Sequence, residues 1–249
     1  MNENLLVSSG SEEVAERVAL QLLDRLAELQ AEGTDPHIVL TGGSLTRRLH
    51  ARIADLAAER QDIDWSTVSI WWGDERYVAT DDDDRNAGQA LQDGLRRLPL
   101  NRERIHPMPA SDEGYADPAA AASAYAEELR LEREPVGEDR AWFDVLMLGI
   151  GPDGHCASLF PGRPEVASSE LVLAVTDSPK PPPTRISLGM AMLGRADELW
   201  FAATGEEKAD AVSRSVAGGD VMRTPSAGPR GRRRTVWFVD QGAAARLQP

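Results

Sequence analysis

The chain has 249 residues, 41% hydrophobic and 27% charged, with a net charge of −14 and a pI near 4.8. This acidic balance argues against general nucleic-acid or anionic-membrane binding, which needs a basic face; a local cationic pocket for an anionic small molecule remains compatible with it. The length suffices for one core, so residues 1–249 are read as a single domain. One cysteine, Cys156, excludes an intramolecular disulfide and fits a reducing compartment. The N-terminus is acidic and lacks the apolar core of a signal peptide, and no apolar stretch is long enough to cross a bilayer. A soluble, cytoplasmic protein is expected.

Residues 11–30 read as a helix, because Val14, Val18, Leu22 and Leu26 recur at four-residue spacing, with Ser11 as its cap. Residues 37–40 form a short strand ended by Gly42 and Gly43, and Ser44 can cap a helix that runs to about residue 60. Residues 68–72 are the next strand, broken by Gly73. A helix is expected over 86–98, a short strand over 104–108 and an alanine-rich helix over 116–133. Strands at 145–148 and 171–175 follow, then a stiff proline loop over 178–183 and a short helix within 186–193. A strand at 198–203, a helix at 206–216, a loop at 224–231 and a last strand at 235–239 complete the order. Strands alternating with helices predict an α/β fold: a mostly parallel twisted sheet with helices on both faces, Rossmann-like in class.

The strand at 145–148 runs into Gly149-Ile150-Gly151-Pro152-Asp153-Gly154, and His155 follows at once. Strands of α/β proteins present ligand-binding loops at their carboxyl ends. Glycines let the backbone approach a substrate, and a histidine can move a proton near neutral pH. The six residues match the dinucleotide pattern G-x-G-x-x-G literally, but no long helical pattern opens on the third glycine, as that fingerprint requires. A tight loop that aims His155 is the stronger reading, and a structural histidine is the other.

Thr41-Gly42-Gly43-Ser44 lies between a strand and a helix, where free N–H groups and the helix dipole favour an anion. No lysine follows in P-loop register, so a simple phosphate or phosphosugar fits better than a nucleoside triphosphate; a plain capped turn is the alternative. After the strand at 68–72, Asp74 and Arg76 share a face if the chain stays extended, and Arg76 can clamp an oxygen anion. A solvated, ion-paired turn is the other reading there. Cys156 reads as a small packed residue. Histidines and cysteine are scattered, so no metal site is expected. Of 27 basic residues only Lys180 and Lys208 are lysines. They are either chance survivors or positions that need a compact ammonium.

Four segments in order resemble the 6-phosphogluconolactonases: Thr41 to Ser44; Gly73 to Arg76 with Arg85 and Asn86; Gly149 to His155 with Ser158 to Pro161; and Gly205 to Ala209. The segment Arg233 to Asp240 is similar to that family's closing strand. The fold implied is that shared with glucosamine-6-phosphate deaminase, the deaminase/isomerase type. The deaminases continue the Asp-Gly-His loop with Asn-Glu-Pro; here Leu159-Phe160-Pro161 stands instead, which favours the lactonase. Cys156 replaces the usual threonine, and Arg85 replaces a serine.

The resemblance implies hydrolysis of a phosphosugar lactone in the pentose phosphate pathway, without metal or other cofactor. His155, Arg76 and Asp74 would be catalytic, Asp74 orienting Arg76 or His155. Gly42, Gly43, Ser44 and Lys208 would hold the phosphate, with Asn86, Asp153, Gly154, Lys180 and Arg185 along the substrate. An amino-sugar-phosphate isomerase or deaminase and a non-catalytic phosphosugar sensor are the rival readings.

Overall fold

The computed structural model describes residues 2–43, 45–133 and 141–247. Seven of its strands form one sheet: β1 (Asn2–Ser8), β2 (His37–Leu40), β3 (Ser69–Trp72), β5 (Ile105–His106), β6 (Phe143–Gly149), β9 (Ala196–Ala203) and β10 (Arg234–Asp240). Their order is β1-β10-β9-β6-β2-β3-β5, and every neighbouring pair is parallel. A parallel sheet is covered on both faces, so its strands read as nearly continuous apolar runs. In β6, Val145 and Met147 point to one layer and Leu146 and Leu148 to the other.

The first layer holds α1 (Ser11–Ala31), α2 (Thr46–Ala57) and α3 (Asn86–Asp93). Val14, Val18, Leu22 and Leu26 of α1 are all essentially fully buried there, with Trp72, Trp200 and Phe238. Burying each such side chain contributes roughly 1.5–3 kcal/mol. The second layer holds α4 (Pro118–Arg133), the short α5 (Met190–Leu193) and α6 (Ala209–Val216). There Tyr125 and Leu129 meet Trp71, Phe143 and Leu146. A separate antiparallel sheet, β4-β8-β7, joins β4 (Asp74–Arg76), β8 (Arg185–Leu188) and β7 (Val172–Val175).

The mostly parallel sheet with helices on both faces is as expected, and four local readings need correction. Ser11 is already helical and does not cap α1. Gly10 occupies the cap position, and the Glu13 carboxylate accepts from the Ser9 amide and hydroxyl, both at 2.8 Å. The short helix expected within 186–193 is the single turn Met190–Leu193, and the residues before it, Arg185–Leu188, pair as a strand that was not expected. Its apolar residues, Ile186 and Leu188, reach the core by strand alternation on either side of Ser187. β7 leaves the main sheet for the small antiparallel one. β1 had no counterpart in the sequence reading; it forms the edge, Asn2 opposite Arg234.

From β2 the sheet grows one way through β3 to β5, and from β6 the other way through β9 and β10. The strand order therefore reverses between β2 and β6, where a crevice opens at the carboxyl ends. The loops carrying Gly42 and His155 leave from those two strands.

Candidate active site

A cleft of about 210 Å³ lies at this crevice. Gly42, Gly43, Asp74, Arg76, Asn86, His155, Lys180, Arg185 and Lys208 all line it. Ser44 lies outside the described residues. Asp153 and Gly154 do not line it. Gly154 is a correction: its carbonyl accepts from the Ser226 amide and hydroxyl, and its own N–H donates to Gly151. With both backbone groups engaged and φ at +91°, it serves the turn and has nothing to offer a substrate.

That turn aims His155. A side-chain carbon at Gly151 would fall 2.0 Å from the imidazole, so glycine there makes room for the ring. His155 Nδ1 sits 2.5 Å from Asp153 Oδ1, and the ring lies 4.7 Å from that of Phe160. Burial works to raise Asp153, but the hydrogen bond from His155 and the charges of His155 and Lys180 prevail and lower it to about 2. An ionised carboxylate only accepts, so the Nδ1 proton stays on the ring and Nε2 presents its lone pair. Lys180 Nζ approaches the same edge, 3.3 Å from Nδ1 and 3.8 Å from Asp153.

Opposite stands the strand bearing Asp74 and Arg76. Arg76 donates from Nη1 to the Asp84 carbonyl at 2.6 Å. Its Nε is buried without a hydrogen-bond partner among the described residues, and so is Oδ1 of Asn86. Asn86 is fixed by its Nδ2, which donates to the Asp74 carbonyl at 2.9 Å. A side-chain carbon at Gly42 would fall 2.1 Å from Asn86 Oδ1, so glycine there allows the two loops to meet. Buried unpaired polar atoms are costly, and here both belong to residues that line the cleft.

The Asp74 carboxylate accepts from Ser158 Oγ at 2.7 Å and lies 3.9 Å from Arg185 Nη1. Neither Arg76 nor His155 is its partner among the contacts found. Arg185 is almost wholly buried, and burial pulls its guanidinium down despite the Asp74 charge. Lys208 opens α6 just after Gly205, whose N–H donates to Asp240. Burial lowers the Lys208 ammonium, Glu207 opposes the shift, and the charge of Lys180 adds to it. The chain's two lysines thus face one cleft.

Several supports were not read from the sequence. Glu75 is fully buried and accepts from the amides of Arg76, Asn86 and Ala87 at 2.7–2.9 Å, which seats the start of α3. Burial raises its carboxyl, although Arg85 and those amides oppose the shift. Arg85 is buried too; it donates to the Met108 carbonyl at 2.6 Å and lies 3.8 Å from Glu75. Cys156 is fully buried, and burial pushes its thiol up, consistent with a packing role. Apart from the Arg76 amide beside Glu75, no local pattern announces these partners, which lie 10 to 23 positions from the group they meet.

An α/β fold with a cationic, histidine-bearing cleft at its topological switch point defines a class of proteins built around small anionic ligands. The family described as glucosamine-6-phosphate isomerases/6-phosphogluconolactonase matches residues 9–237, and the chain belongs to it. A 6-phosphogluconolactonase of Streptomyces coelicolor is 45% identical over 98% of this chain and 94% of its own. One of Mycobacterium tuberculosis is 45% identical over 84% of each. The crystal structure of 6-phosphogluconolactonase from Thermotoga maritima, 24% identical, covers 96% of this chain and all of that one with a TM-score of 0.80, a likeness of fold. No helix among the described residues is long and apolar enough to cross a membrane.

Proposed function

We infer that this protein hydrolyses 6-phospho-D-glucono-1,5-lactone to 6-phospho-D-gluconate, the ring-opening step of the oxidative pentose phosphate pathway. The Streptomyces coelicolor relative, 45% identical over nearly the whole chain, supports the reaction. His155, lining a cationic cleft and held at Nδ1 by Asp153, carries the chemistry.

With Nδ1 held by Asp153, Nε2 of His155 takes a proton from water as the water oxygen bonds to the lactone carbonyl carbon. Arg76, which lines the cleft, stabilises the oxyanion that forms. When the bond from that carbon to the ring oxygen breaks, the imidazolium returns its proton to the departing oxygen. The new carboxylic acid then loses a proton to solvent. Such acid/base help is worth about 10²–10⁴-fold. Lys208, with the Gly42–Gly43 backbone and Ser44, holds the phosphate, and Lys180 lies toward the same charge. Asn86 is placed for a substrate hydroxyl. Asp153 serves as the orienter of His155. Asp74 acts on Arg185. A lactone is a reactive ester, so this route needs no cofactor. With its lone, buried cysteine, the protein is assigned to the cytoplasm.

The test is the rate of opening of freshly made lactone, corrected for spontaneous hydrolysis, in wild type and His155→Ala. Wild-type acceleration that falls by about 10²–10⁴ in the variant is expected, with 6-phosphogluconate still bound. No acceleration by folded wild type sinks the lactonase assignment, and ammonia released from glucosamine 6-phosphate would replace it with the deaminase.

A further inference from the structure

The loop between β7 and β8 brings Lys180 to His155, and one side chain holds that loop from below. Arg185 donates from Nη2 to the carbonyls of Pro181 at 2.9 Å and Lys180 at 3.2 Å, and from Nε to that of Pro182 at 3.2 Å. Three of its five N–H groups are thereby directed at the backbone of the lysine loop. Its other nitrogen faces Asp74, which Ser158 steadies, and its guanidinium lies 5.9 Å above the Phe160 ring. From the other side Ser178 clasps the same loop. Its hydroxyl donates to the Lys180 carbonyl at 2.9 Å and accepts from the Lys180 N–H at 3.2 Å, and its N–H donates to the Pro183 carbonyl.

We propose that Arg185 is a positioning residue: through its fork on the Lys180, Pro181 and Pro182 carbonyls it fixes the Lys180 ammonium beside the Asp153–His155 pair. It thereby sets the pH at which His155 is an active base. The charged groups around the imidazole are Asp153 in its own loop and Lys180 from the β7–β8 loop. Arg185 lies behind Phe160, and Arg76, Asp74 and Lys208 stand on the remaining cleft walls. Asp153 favours the imidazolium, whereas an ammonium 3.3 Å away opposes it. The Lys180 ammonium opposes a second positive charge on the ring only while the loop holds it there. This inference rests on the lactonase reading for its catalytic meaning, but its physical content is a ring titration that needs no substrate.

The experiment titrates the His155 ring by heteronuclear NMR in the full chain. Lys180→Met, Arg185→Lys, their double variant and Ser178→Ala are compared with wild type. Arg185→Lys keeps the charge but loses the planar fork. Lys180→Met should raise the ring's midpoint by about 0.5–1 pH unit. Arg185→Lys should move it in the same direction, and add nothing in the Lys180→Met background. Ser178→Ala, with no change of charge, should give a smaller rise. The acid limb of kcat/KM for the lactone should follow each shift.

An unmoved midpoint in Arg185→Lys overturns the proposal, as does an equal shift with and without Lys180. If Arg185→Lys does not fold, the Ser178→Ala midpoint decides: a rise supports the proposal and a wild-type value overturns it. Failure of wild type to open the lactone would remove the lactonase reading while leaving the ring titrations to decide this point.

Discussion

Charge is buried at both ends of the sheet, in opposite states of completion. Toward the amino ends, fully buried Glu198 meets Arg25, Arg233 and Arg234 and accepts from Trp200 Nε1 at 3.0 Å. Each of its carboxylate oxygens is occupied. At the carboxyl ends, Arg76 Nε and Asn86 Oδ1 remain open, and Lys180 and Lys208 face one another across the cleft. The comparison separates two uses of buried charge. A carboxylate met on both oxygens ties secondary elements together, here α1 to β9 and β10, although Arg25 Nε lacks a hydrogen-bond partner there. A cluster with open atoms and unbalanced sign is kept for a ligand.

Three variants sharpen this contrast beyond His155→Ala. The largest effect falls on the closed cluster. Glu198→Gln leaves three arginines about an uncharged amide, and unfolding in denaturant should show a loss of about 3 kcal/mol. Its kcat/KM per folded molecule should match wild type, and a marked drop would mean that the two ends are coupled. Next, Lys208→Ala should raise KM for the lactone about tenfold or more with a smaller change in kcat, because phosphate attraction acts alike in ground and transition states. A loss confined to kcat would place Lys208 in the chemical step.

The smallest effect concerns Asp153. Its folded-state carboxyl is lowered to about 2, so the stability it contributes is present above the unfolded value and lost as pH falls through about 2. Asp153 is more than a third exposed, so solvent screening keeps this contribution below about 1 kcal/mol. Asp153→Asn should be slightly less stable than wild type at about pH 5, and the difference should close toward about pH 2. A gap that persists there would assign the contact to packing instead of charge.

The helix α1 was legible because Val14, Val18, Leu22 and Leu26 repeat within a single element. The loop Gly149 to His155 was legible because a glycine run after an apolar strand has local meaning. Both lysines drew notice through composition, and their roles came through the resemblance. The cap of α1 was misread by one residue: Gly10 holds the cap position, and Ser9 before it meets Glu13, because only the backbone path decides which residue stands there.

By itself, then, the sequence determined most of the α/β order of elements and a mostly parallel sheet with helices on both faces, because periodicity and turn chemistry act over short stretches, whereas Asn86 and Arg185 entered only through the resemblance. Tertiary structure alone decided what each charged group faces. β1 finds its partner across the chain, with Asn2 opposite Arg234, and the Asp74–Ser158 bond joins residues 84 positions apart. Asp74 turned toward Arg185, and Arg185 toward the carbonyls of the lysine loop. A side chain's partner depends on which strands become neighbours, and that is fixed when the whole core is packed, not by any local run of residues.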